Sequence, residues 1–463
     1  MANKVELPSI LKKFYSVFEE NGFKAYLVGG AVRDIFLNKK ASDYDVATNA
    51  TPQDVIKIFK FVIPTGIEHG TVTVHFMNNE IEVTTFRTES GYSDGRHPDS
   101  VNYAATIEED LSRRDFTMNA IAVNLKDNSI VDPYGGIEDI KKQLIKTVGD
   151  SKERFLEDGL RPVRAIRFAS KLNFKIEDNT FNSLSDIKVL EKTASISVER
   201  FRDEFMKILA ANKPSVGLKL LEETGILKIF IPELINCRNC IQRDDRGYHV
   251  FDVLDHLIYA CDGAPKDNPA VRLSALFHDI GKPQARTERM ENGLLIVNFY
   301  SHEVYSEAIS RQIMTRLKFS NVEINKVCLL VKNHMFHYTK DWTSAAVRRF
   351  LVKVGYENVD DLCALRIADM YGKYNKEVSY KDSSECELLI ELKDRIKEIK
   401  LKNEALSLRD LKVNGKDLMN MGIPSGKKIG VILNELLETV LEDPSMNEKE
   451  KLLKIAANLN SLY

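Results

Sequence analysis

At 463 residues the chain exceeds the roughly 250–300 residues at which one hydrophobic core stops growing, so about three domains are expected. Its 29 % charged and 43 % apolar residues are an ordinary globular balance, and a net charge of -2 excludes a protein pulled onto nucleic acid by bulk electrostatics; any such contact has to come from local patches. No run approaches the about 18 apolar residues of a membrane helix, and "MANKVELPSI" lacks the basic-then-apolar layout of a secretory signal, so a cytoplasmic protein without a membrane partner is expected.

The first 150 residues mix β-branched runs with short helical patterns, which predicts a small mixed sheet covered by helices. The apolar run "YLV" ends at Gly29 and Gly30, and "AVRDIFL" then begins a helix, so free backbone N–H groups point at whatever lies over the turn. That suits a triphosphate, and Arg33 at the helix start offers it a bidentate contact. "SDYDVAT" reads as a strand, on which Asp43 and Asp45 share a face. Like charges this close repel unless a cation sits between them, and Mg²⁺ is the hard ion that such oxygen ligands suit. "GTVTVHF" and "NEIEVTTFR" read as two more strands, with Glu82 on the second supplying a third carboxylate. A D-x-D also arises on solvated strand faces; the glycine turn ahead of it gives it chemical meaning. Strand, glycine pair, helix and two-aspartate strand describe a nucleotidyltransferase core, in which two metals about 4 Å apart bridge an attacking hydroxyl and an α-phosphate. "RTESGYSDGRHPDSVNYAATIEEDL" then reads as a long polar loop.

From about residue 151 strand signals nearly vanish, and segments such as "DEFMKILAANKPSVGLKLLEETGIL" carry apolar residues at three- and four-residue steps. "PKDNPA" and "KPQARTERMENG" read as loops in this helical region, and "KYNKEVSYKDSSE" as a hinge. Cys237 and Cys240 form a C-x-x-C, but the six cysteines hold no second close pair, so neither a zinc site nor a disulfide framework is expected. The expected fold class is α+β: a mixed-sheet head over 1–150, a helical neck over 151–235, a helical domain rich in His and Asp over 236–375, and a helical tail over 376–463.

"LVGGAVRD" with "SDYDVAT", "RRDFTMNAIAV" at 113–123, "DPYGGIEDI" at 132–140, "EDGLR" at 157–161 and "SVERFRDEF" at 197–205 stand in the order of the motifs of bacterial tRNA nucleotidyltransferases. Over most of its length the chain resembles the class II CCA-adding enzymes of the polymerase-β-like superfamily. The resemblance implies a Mg²⁺-dependent enzyme that adds C, C and A to tRNA 3′ ends from CTP and ATP without a template. It implies that Arg114 contacts the nucleotide and that Asp158 and Arg161 inspect its base. A carboxylate only accepts hydrogen bonds and a guanidinium only donates, which fits the amino donor beside a ring acceptor of cytosine and adenine and leaves uracil and guanine mismatched. Taken alone, Asp158 and Arg161 also fit an i,i+3 helix salt bridge. Pro162 stands where the family shows an apolar residue; proline belongs in a first helical turn, so a helix is expected to begin near Arg161, with Asp158 in its lead-in. Arg164 and Arg167 would hold the triphosphate while Ala165, Ile166, Phe168 and Ala169 pack the other side, and Arg113 and Asp115 would form a structural pair. The polar loop and "NAIAV" match the CCA-adding form better than CC-adding or poly(A)-adding relatives. An A-adding or poly(A)-adding enzyme, and an RNA-binding protein with a decayed head, are the alternatives.

His256, the doublet His278-Asp279, His302, His334 and Asp369 alternate with helical segments and resemble the ligand set of HD phosphohydrolases. The resemblance implies one divalent ion on His256, His278, Asp279 and Asp369 and a second on His302 and His334, with Ni²⁺, Mn²⁺ or Mg²⁺ as candidates and phosphatase or cyclic phosphodiesterase activity. A synthetase-hydrolase of (p)ppGpp would place such a domain first, whereas here it lies second. In the tail, Lys427 and Lys428 follow Ser425-Gly426 at an expected helix start, where they would meet a tRNA phosphate.

Overall fold

The computed structural model describes residues 5–41, 43–90, 100–242, 250–374, 383–402 and 404–461, and divides into two compact units, Met1–Ile235 and Asn236–Tyr463. The head of the first unit carries, in chain order, β1 (Ala25–Val28), β2 (Tyr44–Thr48), β3 (Val62–Gly66), β4 (Thr71–Phe76), β5 (Asn79–Thr85), β6 (Arg87–Ser90), β7 (Ser100–Tyr103), β8 (Ala122–Asn124) and β9 (Ile130–Val131). Seven form one sheet in the order β3-β4-β5-β2-β1-β8-β9, with β2 and β5 parallel and the other neighbours antiparallel.

β1 reads "AYLV" without a polar residue, and all four residues are buried, as a central strand covered on both faces requires. β5 alternates instead, burying Ile81, Val83 and Thr85. Met77 and Asn78, both left-handed at φ 48° and 61°, close the β4–β5 hairpin as a two-residue primed turn does. The helix Ser9–Glu20 buries Phe14 and Phe18 on Phe59, with ring centroids 4.8 and 5.2 Å apart.

The neck follows the sheet. Helix Ser151–Glu157 ends at Asp158, and helix Arg161–Leu172 starts with Pro162 in its first turn, as expected. Between them Gly159 faces the backbone of helix Ile187–Ala194: a Cβ there would lie 2.8 Å from the carbonyl carbon of Lys192 and closer still to its oxygen. The glycine of "EDGLR" therefore lets two backbones touch, which holds the turn carrying Asp158 and Arg161 in place. Short strands β10 (Leu144–Ile145) and β11 (Lys175–Ile176) pair in parallel beside the helix.

Among the described residues the second unit is mainly helical, as expected, but it also holds a hairpin. "KPQARTERMENG" was expected to be a loop, yet Lys282–Ala285 is a helical turn and β12 (Arg286–Glu291) pairs with β13 (Leu294–Phe299). The turn is Asn292-Gly293, at φ 52° and 80°, an Asn-Gly hairpin signal flanked by β-formers. The 87–111 segment is likewise not all loop: β6 pairs with β7, and helix Ile107–Ser112 starts in a capping box of Thr106 and Glu109, while 91–99 lie outside the described residues. The central part of the expected hinge, 375–382, lies outside them too. Among the described residues no helix is long and apolar enough to cross a membrane.

A methyl group at position 159 has no room unless the neck helices part. Gly159→Ala is expected to cost about 2–3 kcal/mol in urea unfolding of the first unit, as overpacking against backbone does. A midpoint equal to wild type would contradict this packing.

Candidate active site

A cavity of about 860 Å³ opens in the first unit. Gly29 and Gly30 after β1, Asp45 on β2, Glu82 on β5, the 113–119 segment and the neck residues Asp158, Arg161, Arg164 and Arg167 all line it. Gly29 adopts φ 71°, ψ -137°, which favours glycine, and a Cβ on it would stand 3.2 Å from Asp45 Oδ2 and 3.3 Å from Arg114 Nη1. The turn backbone thus lies beside a carboxylate and a guanidinium, ready-made surroundings for a phosphate chain.

Register fixes the acids. Val28 pairs with Asp45 and Asp45 with Glu82, so the two carboxylates stand side by side on neighbouring strands. Burial, then the charge of Glu82, pushes the Asp45 carboxyl up to about 6; Arg114 opposes this and Asp43 adds to it. Asp43 was expected on the strand, but β2 begins at Tyr44, and Asp43 sits exposed one residue ahead. Among the described residues, sets of three ligand atoms within 4.8 Å of one another occur in the second unit, and the head acids stand further apart. Mutual repulsion opposes a closer approach, and hard oxygen donors under that repulsion fit a divalent cation.

The arginines are held before any nucleotide arrives. Arg33 is buried, with Nε and Nη2 donating to Asp34 Oδ1 at 3.0 and 2.8 Å and Nη1 to Asn119 Oδ1 at 2.9 Å. Asn119 donates to Asp115 Oδ1 at 3.2 Å, and Arg164 grips Asp115 Oδ2 at 2.5 and 2.8 Å. Burial alone would raise Asp115, but Arg164 holds it down at about 2. Arg113 and Asp115 therefore do not pair with each other; Arg113 and Arg114 both bind the buried Asp110, at 2.7 and 3.1 Å. Arg167 meets Glu204 at 2.5 Å. Phe168 does not pack away from the cavity as expected: it lines it, and the guanidiniums of Arg33, Arg164 and Arg167 stand 5.3, 5.6 and 3.9 Å from its ring centroid.

Asp158 and Arg161 do not form the i,i+3 bridge. Asp158 is bound by Arg200, whose Nη2 donates to both its oxygens at 2.9 and 3.1 Å, and by the Leu160 N–H at 2.9 Å. Arg161 donates through Nη1 to Glu157 and to the Arg154 carbonyl, and through Nη2 to the Arg113 carbonyl at 3.2 Å. Two of its five N–H groups stay without a protein partner among the described residues, and the Asp158 oxygens keep acceptor capacity. Sequence reasoning missed Arg200 and Glu157. Each lay inside a quoted motif, "SVERFRDEF" and "EDGLR", but which partner a charged helix residue takes is settled by helix packing, not by spacing.

In the second unit the six His and Asp positions converge, all buried. His256 Nε2 lies 3.0 Å from His278 Nε2 and 3.3 Å from both Asp279 Oδ2 and Asp369 Oδ1. Asp279 turns its other oxygen to His302 Nε2 at 3.0 Å and His334 Nε2 at 3.4 Å, so one carboxylate faces two ligand triads. Nδ1 of His278, His302 and His334 meets the carbonyls of Ala275, Phe299 and Val331 at 2.7–2.9 Å, which leaves Nε2 as the ligand atom in each. Lys282, three residues after Asp279, stands 2.5 Å from Oδ2, a contact the sequence reading did not foresee. Cys237 and Cys240 are buried free thiols. In the tail, helix Lys427–Glu442 begins as expected; Lys427 is exposed, while Lys428 donates to the Asn460 carbonyl at 3.0 Å.

Because the Asp45 pKa is raised on folding, its share of stability is present near pH 4 and lost as pH climbs through about 6. Asp45→Asn is therefore expected to raise the melting temperature by roughly 3–6 °C at pH 7.5 in the absence of divalent ions, and to leave it unchanged near pH 4. Scanning fluorimetry at the two pH values checks this.

The model of the poly A polymerase head domain matches residues 25–146, that of the probable RNA- and SrmB-binding site of polymerase A matches 173–237, and that of tRNA nucleotidyltransferase domain 2 matches 293–456. The CCA-adding enzyme of Enterococcus faecalis is 33 % identical over 460 residues, 98 % of each chain, and that of Lactobacillus johnsonii 32 % over 440 residues, 93 % of this chain and 92 % of the relative. The crystal structure of the Bacillus stearothermophilus CCA-adding enzyme in complex with CTP superposes with a TM-score of 0.73 at 26 % identity, covering 98 % of this chain and 99 % of that one. With sheet, cavity and motif residues in agreement, the chain belongs to the CCA-adding enzymes, tRNA nucleotidyltransferases whose family depends on divalent metal.

Proposed function

We infer that the protein adds C, C and A to the 3′ ends of tRNA from CTP and ATP without a nucleic-acid template, with Mg²⁺ as its ion and in the cytoplasm. The observation that carries this reading is the single cavity that unites the glycine turn, Asp45, Glu82 and the Asp158 and Arg161 turn. Asp43, Asp45 and Glu82 would hold the metal, which when bound favours the ionised 3′ hydroxyl and offsets charge on the pyrophosphate. The turn at Gly29 and Gly30, with Arg33, Arg114, Arg164 and Arg167, binds and orients the triphosphate. In the transfer, the bond between the 3′ oxygen and the α-phosphorus forms as the bond to pyrophosphate breaks; pyrophosphate leaves with the electron pair and the hydroxyl proton passes to water.

Base choice falls to Asp158 and Arg161. Arg161 offers its remaining N–H groups to the ring acceptor of C or A, and Asp158 accepts from the exocyclic amino group. Against U or G an acceptor would face Asp158 and an N–H would face Arg161, leaving desolvated groups opposed, a mismatch worth about 10⁴-fold. The pinning of Asp158 by Arg200 and of Arg161 by Glu157 supports this reading, since a pair that inspects bases by geometry must not swing. We propose four functional parts, the head over 1–150, neck over 151–235, His-Asp domain over 236–375 and tail over 376–463, with exposed Lys427 of the tail meeting tRNA phosphate more readily than Lys428.

The six-residue cluster favours a second activity, metal-dependent hydrolysis of phosphate esters. Its support is Asp279, whose Oδ2 faces His256 and His278 and whose Oδ1 faces His302 and His334; these residues would hold divalent metal, which when bound would supply an activated water for hydrolysis. Ni²⁺, Mn²⁺ and Mg²⁺ are the candidate ions.

Two experiments test these readings. Labelled CTP and ATP, given separately and together to tRNAs truncated at successive 3′ positions, should extend each to C, C, A and no further; an A-adding or poly(A)-adding enzyme would leave CTP unused. Mn²⁺ or Ni²⁺ should raise the melting temperature of wild type and bind by calorimetry, and His278→Ala and His302→Ala should each abolish most of that gain while CCA addition continues. Equal stabilisation of the variants would contradict the second site.

A further inference from the structure

The cavity has two sides, and the residues assigned above occupy one. Along the sheet order β3-β4-β5-β2-β1-β8, the glycine turn follows β1, and Arg114, Arg33, Arg164 and Arg161 connect to that end through Gly29, Asn119, Asp115 and the Arg113 carbonyl. Asp45 and Glu82 stand on the next two strands. Beyond them the lining continues with Thr84 near the end of β5, Thr71 on β4, Thr65 and Gly66 on β3, His69 in the turn that joins β3 to β4, and Arg87 at the start of β6. At about 4.8 Å between strands, β4 lies roughly 14 Å from β1. In-line displacement at phosphorus puts the attacking and leaving oxygens on opposite sides. If pyrophosphate leaves toward the β1 turn, the acceptor hydroxyl arrives from the β4 and β3 side.

That side is built as one wall. Arg87 Nη1 donates to the His69 carbonyl, which ties the 67–69 turn to β6. Gly70, left-handed at φ 74°, follows; a Cβ there would sit 3.6 Å from the ring of Tyr103 on β7, which is 56 % exposed. The Thr65 and Thr73 hydroxyls meet at 3.0 Å, as do those of Thr71 and Thr84. A guanidinium at the cavity edge, hydroxyls along its floor and an exposed aromatic ring beside it are the parts with which proteins hold single-stranded RNA: charge for the backbone and a ring for a base to stack on.

We propose that Thr65, His69 and Arg87, with the adjoining Tyr103, form the subsite for the single-stranded 3′ end of the acceptor RNA, Arg87 against a backbone phosphate and Tyr103 under the terminal base. This rests on the nucleotidyl-transfer reading above. The subsite adjoins the nucleotide-holding side through backbone, since the Arg87 N–H donates to Asp110 Oδ1 at 3.4 Å and Asp110 also holds Arg113 and Arg114, while the side chains of Arg87 and Tyr103 serve the acceptor.

The test is steady-state addition of CMP to a tRNA lacking its terminal CCA, with acceptor and CTP varied independently, together with acceptor binding measured against salt. For Arg87→Ala and Tyr103→Ala the KM for acceptor is expected to rise about tenfold, with the KM for CTP within twofold of wild type. Arg87→Ala should also flatten the slope of log binding constant against log salt by about 0.7, the contribution of one single-strand phosphate, and Arg87→Lys should restore it. Unchanged acceptor KM and slope, or acceptor and CTP constants worsening together, would overturn the subsite. Asp45→Asn in the same assay separates the two levels: it should abolish transfer yet bind acceptor with wild-type affinity and slope. If Asp45→Asn still transfers, the nucleotidyl-transfer reading fails; if it is inert while Arg87→Ala and Tyr103→Ala match wild type, only the subsite fails.

Discussion

The parallel register of β2 and β5, which sets Asp45 beside Glu82, is the constraint on which the first unit depends. Two carboxylates on adjacent strands, with a third one residue ahead of β2, are unfavourable for folding, as the raised Asp45 shows. A buried strand on one flank and a capped hairpin on the other hold them there regardless. Stability is given up locally so that a cation, when it binds, meets donors already gathered. The glycine turn serves the same end, since any side chain at Gly29 would crowd both Asp45 and Arg114.

The positive half of the site is arranged by the opposite means. Every arginine expected to meet phosphate or base is already bound to a carboxylate or a carbonyl: Arg33 to Asp34, Arg164 to Asp115, Arg167 to Glu204, Arg161 to Glu157, Arg114 to Asp110. Cations clustered in one cavity would otherwise repel one another and swing into solvent. Paired in this way they line the cavity with N–H groups to spare and lose little freedom when a nucleotide arrives. Phe168, under three guanidiniums, adds a flat apolar surface against which they stack.

What was legible in the sequence was the chemistry-bearing pattern. The glycine pair, the two aspartates, Glu82, the "EDGLR" turn and the six His and Asp positions could each be named because their residue types and spacings are uncommon; the cavity gathers the glycines, Asp45, Glu82, Asp158 and Arg161, the buried cluster gathers the six, and Asp43 stands exposed outside the cavity lining. Partnership was not legible. Arg113 was matched with Asp115 because they are near in sequence, but the helix Ile107–Ser112 brings Asp110 to Arg113 and the neck brings Arg164 to Asp115. Phe168 looked like packing because it is apolar, and only the arrival of three arginines makes it part of the site. The β12–β13 hairpin is a different failure: its Asn292-Gly293 signal was present but lay within a charged stretch that read as loop.

The central claim is that the head carboxylates hold a metal against the α-phosphate of the incoming nucleotide. The most direct measurement is the single-turnover rate of addition from CTP in which one non-bridging α-oxygen is replaced by sulfur, compared between Mg²⁺ and the softer Mn²⁺ or Cd²⁺. The account predicts a rate loss of at least about tenfold with Mg²⁺ for one diastereomer and recovery with the softer ion, an effect a hard metal shows only when it touches the substituted atom. Equal rates with every ion, for both diastereomers, would contradict it.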